Sequence, residues 1–149
     1  MQHKAEEKRS IDVYFWVNVE LKVKKENVND FLEFIKPENL SMYLQTNDMD
    51  DVDVDGCEDL KDGFYSVKFS GDITRKVSIN HHDLADIFTY QSISPDVFSE
   101  IVSVANELQN NLKKLLREGP IVTQNSRVCV SEPDVEELID IVFDQVRSL

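Results

Sequence analysis

The chain has 149 residues, of which 41% are hydrophobic and 30% are charged, and its formal net charge is −13. This length predicts one domain with a single core, and the composition excludes a chain that is disordered as a whole. The negative charge argues against direct binding to nucleic acid or to an anionic membrane, because both would be repelled.

The charge is unevenly distributed, since residues 1–25 hold six Lys or Arg and four Asp or Glu, while the rest holds ten and twenty-five. Cys57 and Cys129 are too few to predict the disulfide framework of a small secreted protein. No apolar run reaches the length of a membrane span, and the first residues lack the apolar stretch of a signal peptide. The sequence therefore predicts a cytoplasmic protein with a flexible segment over residues 1–9.

The first element is a strand, because every odd position from Ile11 to Val23 is apolar. Its even face carries Tyr14 and Trp16. We expect one of the protein's own helices to cover these two rings, and the alternative is a contact surface. A helix from about residue 26 to residue 35, stopped by Pro37, is predicted next. Residues 38–46 are predicted to form a turn of helix or a short strand.

An acidic loop is predicted over residues 47–62. Between Asp48 and Asp62 the chain has eight carboxylates and one lysine. The simplest interpretation is a solvated loop. The order Asp51-Val-Asp53-Val-Asp55-Gly56, however, resembles the first half of an EF-hand calcium loop. The resemblance implies calcium as a ligand, bound by Asp51, Asp53, Asp55, Asp59 and Asp62.

The second half of the chain alternates strands and helices. Apolar odd positions from residue 65 to residue 79 predict either a hairpin turning at Gly71 or one long strand with a bulge there. A short helix capped by Asn80 and a long helix from Ser94 to Gly119 follow. A short strand at 127–130 and a last helix at about 133–146, with Ser131 as its cap, complete the prediction. This order predicts a two-layer α+β domain with an antiparallel or mixed sheet.

The sequence lacks the motifs of common catalytic sites. It contains no glycine-rich phosphate loop and no G-x-S-x-G motif. His81 and His82 are adjacent, so on a helix they point about 100° apart and are poorly placed to bind one metal ion. The sequence therefore predicts a protein that is not an enzyme and has no resident cofactor.

Rows of carboxylates suggest a function. In an extended chain Asp51, Asp53 and Asp55 would share a face at about 6.6 Å intervals, and acids four residues apart in the last helix would lie about 6 Å apart. Such rows would imitate a nucleic-acid backbone and occupy the basic groove of a nucleic-acid-binding protein. We expect an inhibitor or decoy of the sort that mobile elements use against host defences. The expected partner-binding residues are Asp48, Asp50, Asp51, Asp53, Asp55, Glu58, Asp59, Glu136, Glu137, Asp140 and Asp144.

The sequence is also compatible with two other functions. The first is a calcium-binding module in which the acidic loop folds around the ion. The second is a structural or assembly protein, in which the long first strand pairs edge to edge with a second copy to form a homodimer. Tyr14 and Trp16 would then lie in the interface.

Overall fold

The structure is a computed structural model that describes residues 7–44 and 49–147, with only the backbone described at residue 147. Within these residues four antiparallel strands form one sheet, and five α-helices complete an α+β fold. The predicted fold class is therefore confirmed, and the sheet is antiparallel, not mixed.

The strands are β1 (Lys8–Lys24), β2 (Met49–Asp59), β3 (Phe64–Asn80) and β4 (Thr123–Ser131). The helices are α1 (Val28–Phe34), α2 (Pro37–Leu44), α3 (His81–Tyr90), α4 (Pro95–Glu118) and α5 (Val135–Arg147). A 3-10 turn, Lys25–Asn27, precedes α1. Across the sheet the order is β2-β3-β1-β4, so the edge strands are β2 and β4, and β1 is internal.

The hydrophobic core lies on one face of the sheet. The odd side chains of β1 are buried there, including Phe15, which is fully buried. Helix α1 contributes Phe31, whose ring centroid is 6.2 Å from that of Phe69 in β3. Helix α4 adds a stripe of buried residues at helical spacing, among them Leu108 and Leu112. Burying each such side chain stabilises the fold by about 1.5–3 kcal/mol, so the apolar period fixes which face the helices cover.

Strand β1 has neighbours on both sides. It pairs with β3 from Lys8 to Lys24 and with β4 from Trp16 to Val23. Beside the half that β4 leaves uncovered, Gln145 of α5 bonds the backbone of Asp12. The Gln145 Nε2 donates to the Asp12 carbonyl oxygen (2.7 Å), and its Oε1 accepts from the Asp12 N–H (2.8 Å). Along Trp16–Val23, β1 is paired on both sides, so the predicted edge-to-edge pairing of β1 with a second copy has no free edge in this half of the strand.

Two predicted breaks in the chain turn out differently. Gly71 lies inside β3, which is one long strand and not a hairpin, and the register shift beside it falls in β2, between Met49 and Asp51. Pro37 begins α2, because proline fits the first turn of a helix, whose N–H groups have no intrahelical partner. Residues 37–44 are therefore helical, and the strand alternative is wrong.

Helix caps follow the sequence at two of three predicted positions. The side chain of Asn80 accepts from the Asp83 N–H (2.8 Å), and that of Ser94 accepts from the Val97 N–H (3.3 Å). Ser131 was predicted to cap the last helix, but it is the final residue of β4. Instead, the carboxylate of Asp134 accepts from the Glu137 N–H (2.8 Å).

The cap of α5 gives a direct prediction. Asp134→Ala is expected to lower the free energy of unfolding by about 1 kcal/mol, because an N–H of the first turn loses its acceptor. Ser131→Ala, the matched control, is expected to change it by less than about 0.5 kcal/mol. Urea denaturation of both variants measures the difference, and equal losses would contradict the assignment of the cap.

Candidate binding surface on the open face of the sheet

The face of the sheet opposite the core, here called the open face, presents two aromatic rings. Trp16 is 50% exposed and Tyr14 is 43% exposed. The expectation that a helix covers these rings is wrong, because the core helices pack on the other face and α5 lies beside β1. One rung of the open face runs through all four strands, with Asp51 opposite Asp72, Asp72 opposite Trp16, and Trp16 opposite Ser131.

The acidic segment is an edge strand. The expectation of a loop is wrong for Met49–Asp59, which pairs with β3. Met49 is buried, and Val52 packs against the core, so apolar side chains hold the strand in place from the core side. Asp51 and Asp53, on either side of Val52 in the chain, are exposed, with Asp51 opposite Asp72 and Asp53 opposite Ser70. An edge strand rich in charge is protected against pairing with other chains.

Asp51, Asp53 and Asp55, the first three expected calcium ligands, lie in strand β2 and not in a loop that could fold around an ion. The carboxylates of Asp59 and Asp62 accept from the backbone N–H groups of Lys61 (2.9 Å) and Phe64 (3.1 Å), so both shape the turn between β2 and β3. In this turn Lys61 and Gly63 have positive φ angles of 65° and 90°. Across the described ranges, no three His, Cys, Asp or Glu side chains are grouped so that they could hold a metal ion.

An acidic cluster, defined as Asp50, Asp51, Asp53 and Asp72, lies where β2 meets β3. Burial raises the pKa of Asp72, and the neighbouring carboxylates of Asp50, Asp51 and Asp53 raise it further, against a smaller lowering by a backbone hydrogen bond from Asp51. Thr74 Oγ1 donates to Asp50 Oδ2 (2.8 Å). Like charges directly opposite each other in a sheet are destabilising. The acidic cluster therefore reduces the stability of the fold.

Neutralising Asp72 is expected to stabilise the protein at neutral pH. A carboxyl group whose pKa is higher in the folded state than in the unfolded state destabilises the fold at high pH. The destabilisation begins once the pH rises above the ordinary pKa of the group, which is 3.8 for aspartate. Asp72→Asn should therefore raise the free energy of unfolding at pH 7 by up to about 1 kcal/mol, because it also removes the repulsion across from Asp51. The gain should shrink as the pH falls through the folded-state pKa and vanish below the unfolded value.

Urea denaturation at pH 7 and pH 3.5 measures this effect. Glu58→Gln is the matched control, because it removes the same charge from the far end of β2, where the opposite residue is the uncharged Ser66. We expect the control to change stability by less than about 0.5 kcal/mol. A loss of stability in Asp72→Asn at pH 7 would contradict the account of the acidic cluster.

A shallow cavity of about 400 Å³ joins the open face to α5. Its apolar part consists of Tyr14, Trp16, Pro133 and Ile141, and its carboxylates are Asp72, Glu137 and Asp140. We call it the aromatic-acidic cavity. Asp72 belongs both to this cavity and to the acidic cluster, so the carboxylates of β2 lie one strand beyond the cavity, across β3.

Other predicted binding residues lie elsewhere. Glu58 and Asp59 pair with Ser66 and Tyr65, about 20 Å along β3 from Asp72 at about 3.3 Å per residue. Asp55 lines a second depression of about 320 Å³, where two carboxylates, Asp55 and Glu20, lie with two cations, Lys68 and Arg127. Glu136 and Asp144 are exposed on α5 but do not line the aromatic-acidic cavity. Asp48 lies outside the described residues.

Sequence reasoning did not select Asp72, although it is central to the open face. The sequence feature that marks Asp72 is its place in the alternating pattern of β3, where it is a polar residue between the buried Phe69 and Ile73. Between residues that the structure describes, no salt bridge involves the acidic cluster, Glu137 or Asp140; the salt bridges are elsewhere, such as Arg75–Glu107 at 3.9 Å. Within the described part of the chain, these carboxylates therefore have no Lys, Arg or His nitrogen at salt-bridge distance.

Comparisons with known proteins add no assignment. The sequence matches no protein-family model, and no curated protein matches it. Of the helices that the structure describes, none has both the length and the apolar character needed to cross a membrane. The geometry of the open face is therefore the basis on which a function can be inferred.

Proposed function

We propose that the protein is a non-enzymatic binding protein whose open face engages a basic, nucleic-acid-binding protein and blocks its nucleic-acid site. The observation that supports this most is the Asp51–Asp72 pair beside the exposed ring of Trp16. An opposed pair of carboxylates reduces stability, and places where a fold departs from local rules are often functional. Aromatic side chains are enriched at protein interfaces.

The placement of the charges supports a decoy. Asp51 and Asp53 are two residues apart in β2, which is about 6.6 Å and close to twice the axial phosphate repeat of about 3.4 Å per DNA strand. Glu137 and Asp140 form a second group on α5, on the other side of Trp16. With a net charge of −13, the protein would be drawn rapidly to a basic groove at low salt.

The proposal includes a cytoplasmic location. Cys57 and Cys129 are both exposed and free. Exposed thiols persist in reducing compartments, where nucleic-acid-binding partners are also found.

The proposal is tested by capture of partners from a lysate at low salt. The wild-type protein is compared with the variant Asp51→Lys/Asp53→Lys/Glu137→Lys, here called the open-face variant. The matched control, the helix-side variant, is Glu26→Lys/Glu38→Lys/Glu100→Lys, which makes the same change in charge at exposed positions on the core-helix side. We expect wild type and the helix-side variant to retain one basic protein that the open-face variant loses.

The captured protein is then purified and loaded with fluorescent duplex DNA. Wild-type protein should release the DNA, as followed by fluorescence anisotropy, and the open-face variant should not. If a captured partner keeps its DNA bound, or if it binds no nucleic acid at all, the decoy function is wrong.

A further inference from the structure

We propose that the aromatic-acidic cavity binds an arginine side chain of the partner, with the guanidinium stacked on Trp16 and held by Asp72 and the carboxylates of α5. This inference rests on the proposed function and names the residue of the basic partner that the open face receives. The occupant is inferred from charge complementarity, because a cavity that combines aromatic rings with carboxylates fits a cation with an apolar stem.

The apolar part of the cavity suits the stem and the plane of an arginine. Trp16 and Tyr14 present half-exposed rings, and Ile141 is half-buried beside them on α5. A tryptophan face is the best aromatic surface for a cation, which it attracts within about 6 Å of the ring centroid. The methylene groups of the incoming side chain would cover the apolar surface that now faces water.

Carboxylates stand on both sides of the indole ring. Asp72 is directly opposite Trp16 in the β1–β3 pair, where side chains begin about 4.5–5.5 Å apart at their Cβ atoms. Glu137 and Asp140 are three residues apart on α5 and so lie on the same side of that helix. A cation above the ring would therefore meet negative charge from β3 and from α5. These three carboxylates form no salt bridge with other described side chains.

The combination of groups favours arginine over lysine. A guanidinium is planar, weakly hydrated and able to bond two carboxylate oxygens at once while it stacks on an aromatic ring. An ammonium group is compact and strongly hydrated, so a carboxylate surface would attract it without the contribution from stacking. Acidic side chains alone would not distinguish the two residues, whereas the exposed ring of Trp16 would.

The test uses the fluorescence of Trp16, which is the only tryptophan in the sequence. Full-length protein is titrated at low salt with the end-blocked peptide Gly-Arg-Gly-Arg-Gly and with the corresponding lysine peptide, which has the same charge. We expect the arginine peptide to change the tryptophan emission and to bind about five-fold more tightly than the lysine peptide.

Variants separate stacking from charge, and calorimetry measures binding where the fluorophore is lost. Trp16→Leu should weaken binding of the arginine peptide about five-fold and abolish the preference for arginine over lysine. Glu137→Gln/Asp140→Asn should weaken binding of both peptides. Glu26→Gln/Glu100→Gln, the control on the core-helix side, should weaken neither by more than about two-fold. Circular dichroism confirms that each variant is folded.

The possible failures are distinguishable. Equal affinity for the two peptides, or tryptophan emission that does not respond, would overturn the arginine site and leave the proposed function standing on charge alone. A preference for arginine that depends on Trp16, without capture of any nucleic-acid-binding protein, would confirm the arginine site and remove the decoy function.

Discussion

Replacing Gly71 with alanine is expected to detach the acidic strand β2 from the sheet while the helix-covered core stays folded. A Cβ atom at this position would lie 2.3 Å from the carbonyl oxygen of Asp51 and 3.2 Å from Cε of Met49. The first contact is with backbone, so β2 itself must move. We expect the free energy of unfolding to fall by about 1–3 kcal/mol, as in other overpacked sites.

Gly56→Ala is the matched control, because it lies in β2 itself and its added Cβ would meet nothing closer than Cβ of Lys68 at 4.0 Å. Hydrogen exchange should show faster exchange of the β2 amides in Gly71→Ala and nearly unchanged exchange in Gly56→Ala. If both variants lost the same stability, the close approach of β2 to β3 at Gly71 would be in doubt. Since Asp51 and Asp53 depend on this pairing, Gly71→Ala should also weaken partner binding.

Replacing Gln145 with alanine is expected to loosen α5 from the sheet. The side chain makes two hydrogen bonds to the backbone of Asp12, and both backbone groups lose their partner in the variant. A buried polar group without a partner costs about 1–3 kcal/mol, and water reaches the half-buried Asp12, so we expect a total loss of about 2 kcal/mol.

The control for this prediction is Gln124→Ala, at an exposed position on β4. It should change stability by less than about 0.5 kcal/mol. Hydrogen exchange of α5 should increase in Gln145→Ala alone, and the loss of ordered Glu137 and Asp140 should reduce the affinity for the arginine peptide. A fully stable Gln145→Ala variant would show that α5 is held mainly by Leu138 and Val142, which are buried.

The elements that could be predicted from the sequence are those whose pattern is local. The alternation from Ile11 to Val23 predicted β1 because burial of one face requires a period of two. Asn80 and Ser94 predicted the starts of α3 and α4 because a cap acts on N–H groups only a few residues ahead. These signals need no knowledge of the rest of the fold.

The strand formed by the acidic segment could not be predicted from such a local pattern. Its apolar positions are Met49, Val52 and Val54, and the register shift after Met49 breaks the alternation that marks a strand. Aspartate is also depleted in strands, so local preference indicated a loop. Pairing with β3 and burial of Met49 outweigh that preference, which is a tertiary effect.

The candidate site could not be predicted from the sequence, because it depends on the register in which the strands pair. Trp16 and Asp72 are distant in the chain and meet only because β1 and β3 pair as they do. Glu137 and Asp140 reach the same cavity because α5 lies beside β1, where Gln145 bonds the backbone of Asp12. The sequence predicted several of the carboxylates but not which of them converge.

The affinity of the purified partner at matched salt is to be measured for three proteins: wild type, the open-face variant and the helix-side variant. The two variants have the same net charge, so a difference between them reports the position of the charges. We expect the open-face variant to lose about 100-fold in affinity, at about 1 kcal/mol for each reversed charge, and the helix-side variant to lose less than about ten-fold. Equal losses would mean that net charge alone governs binding and that the open face is not the binding surface.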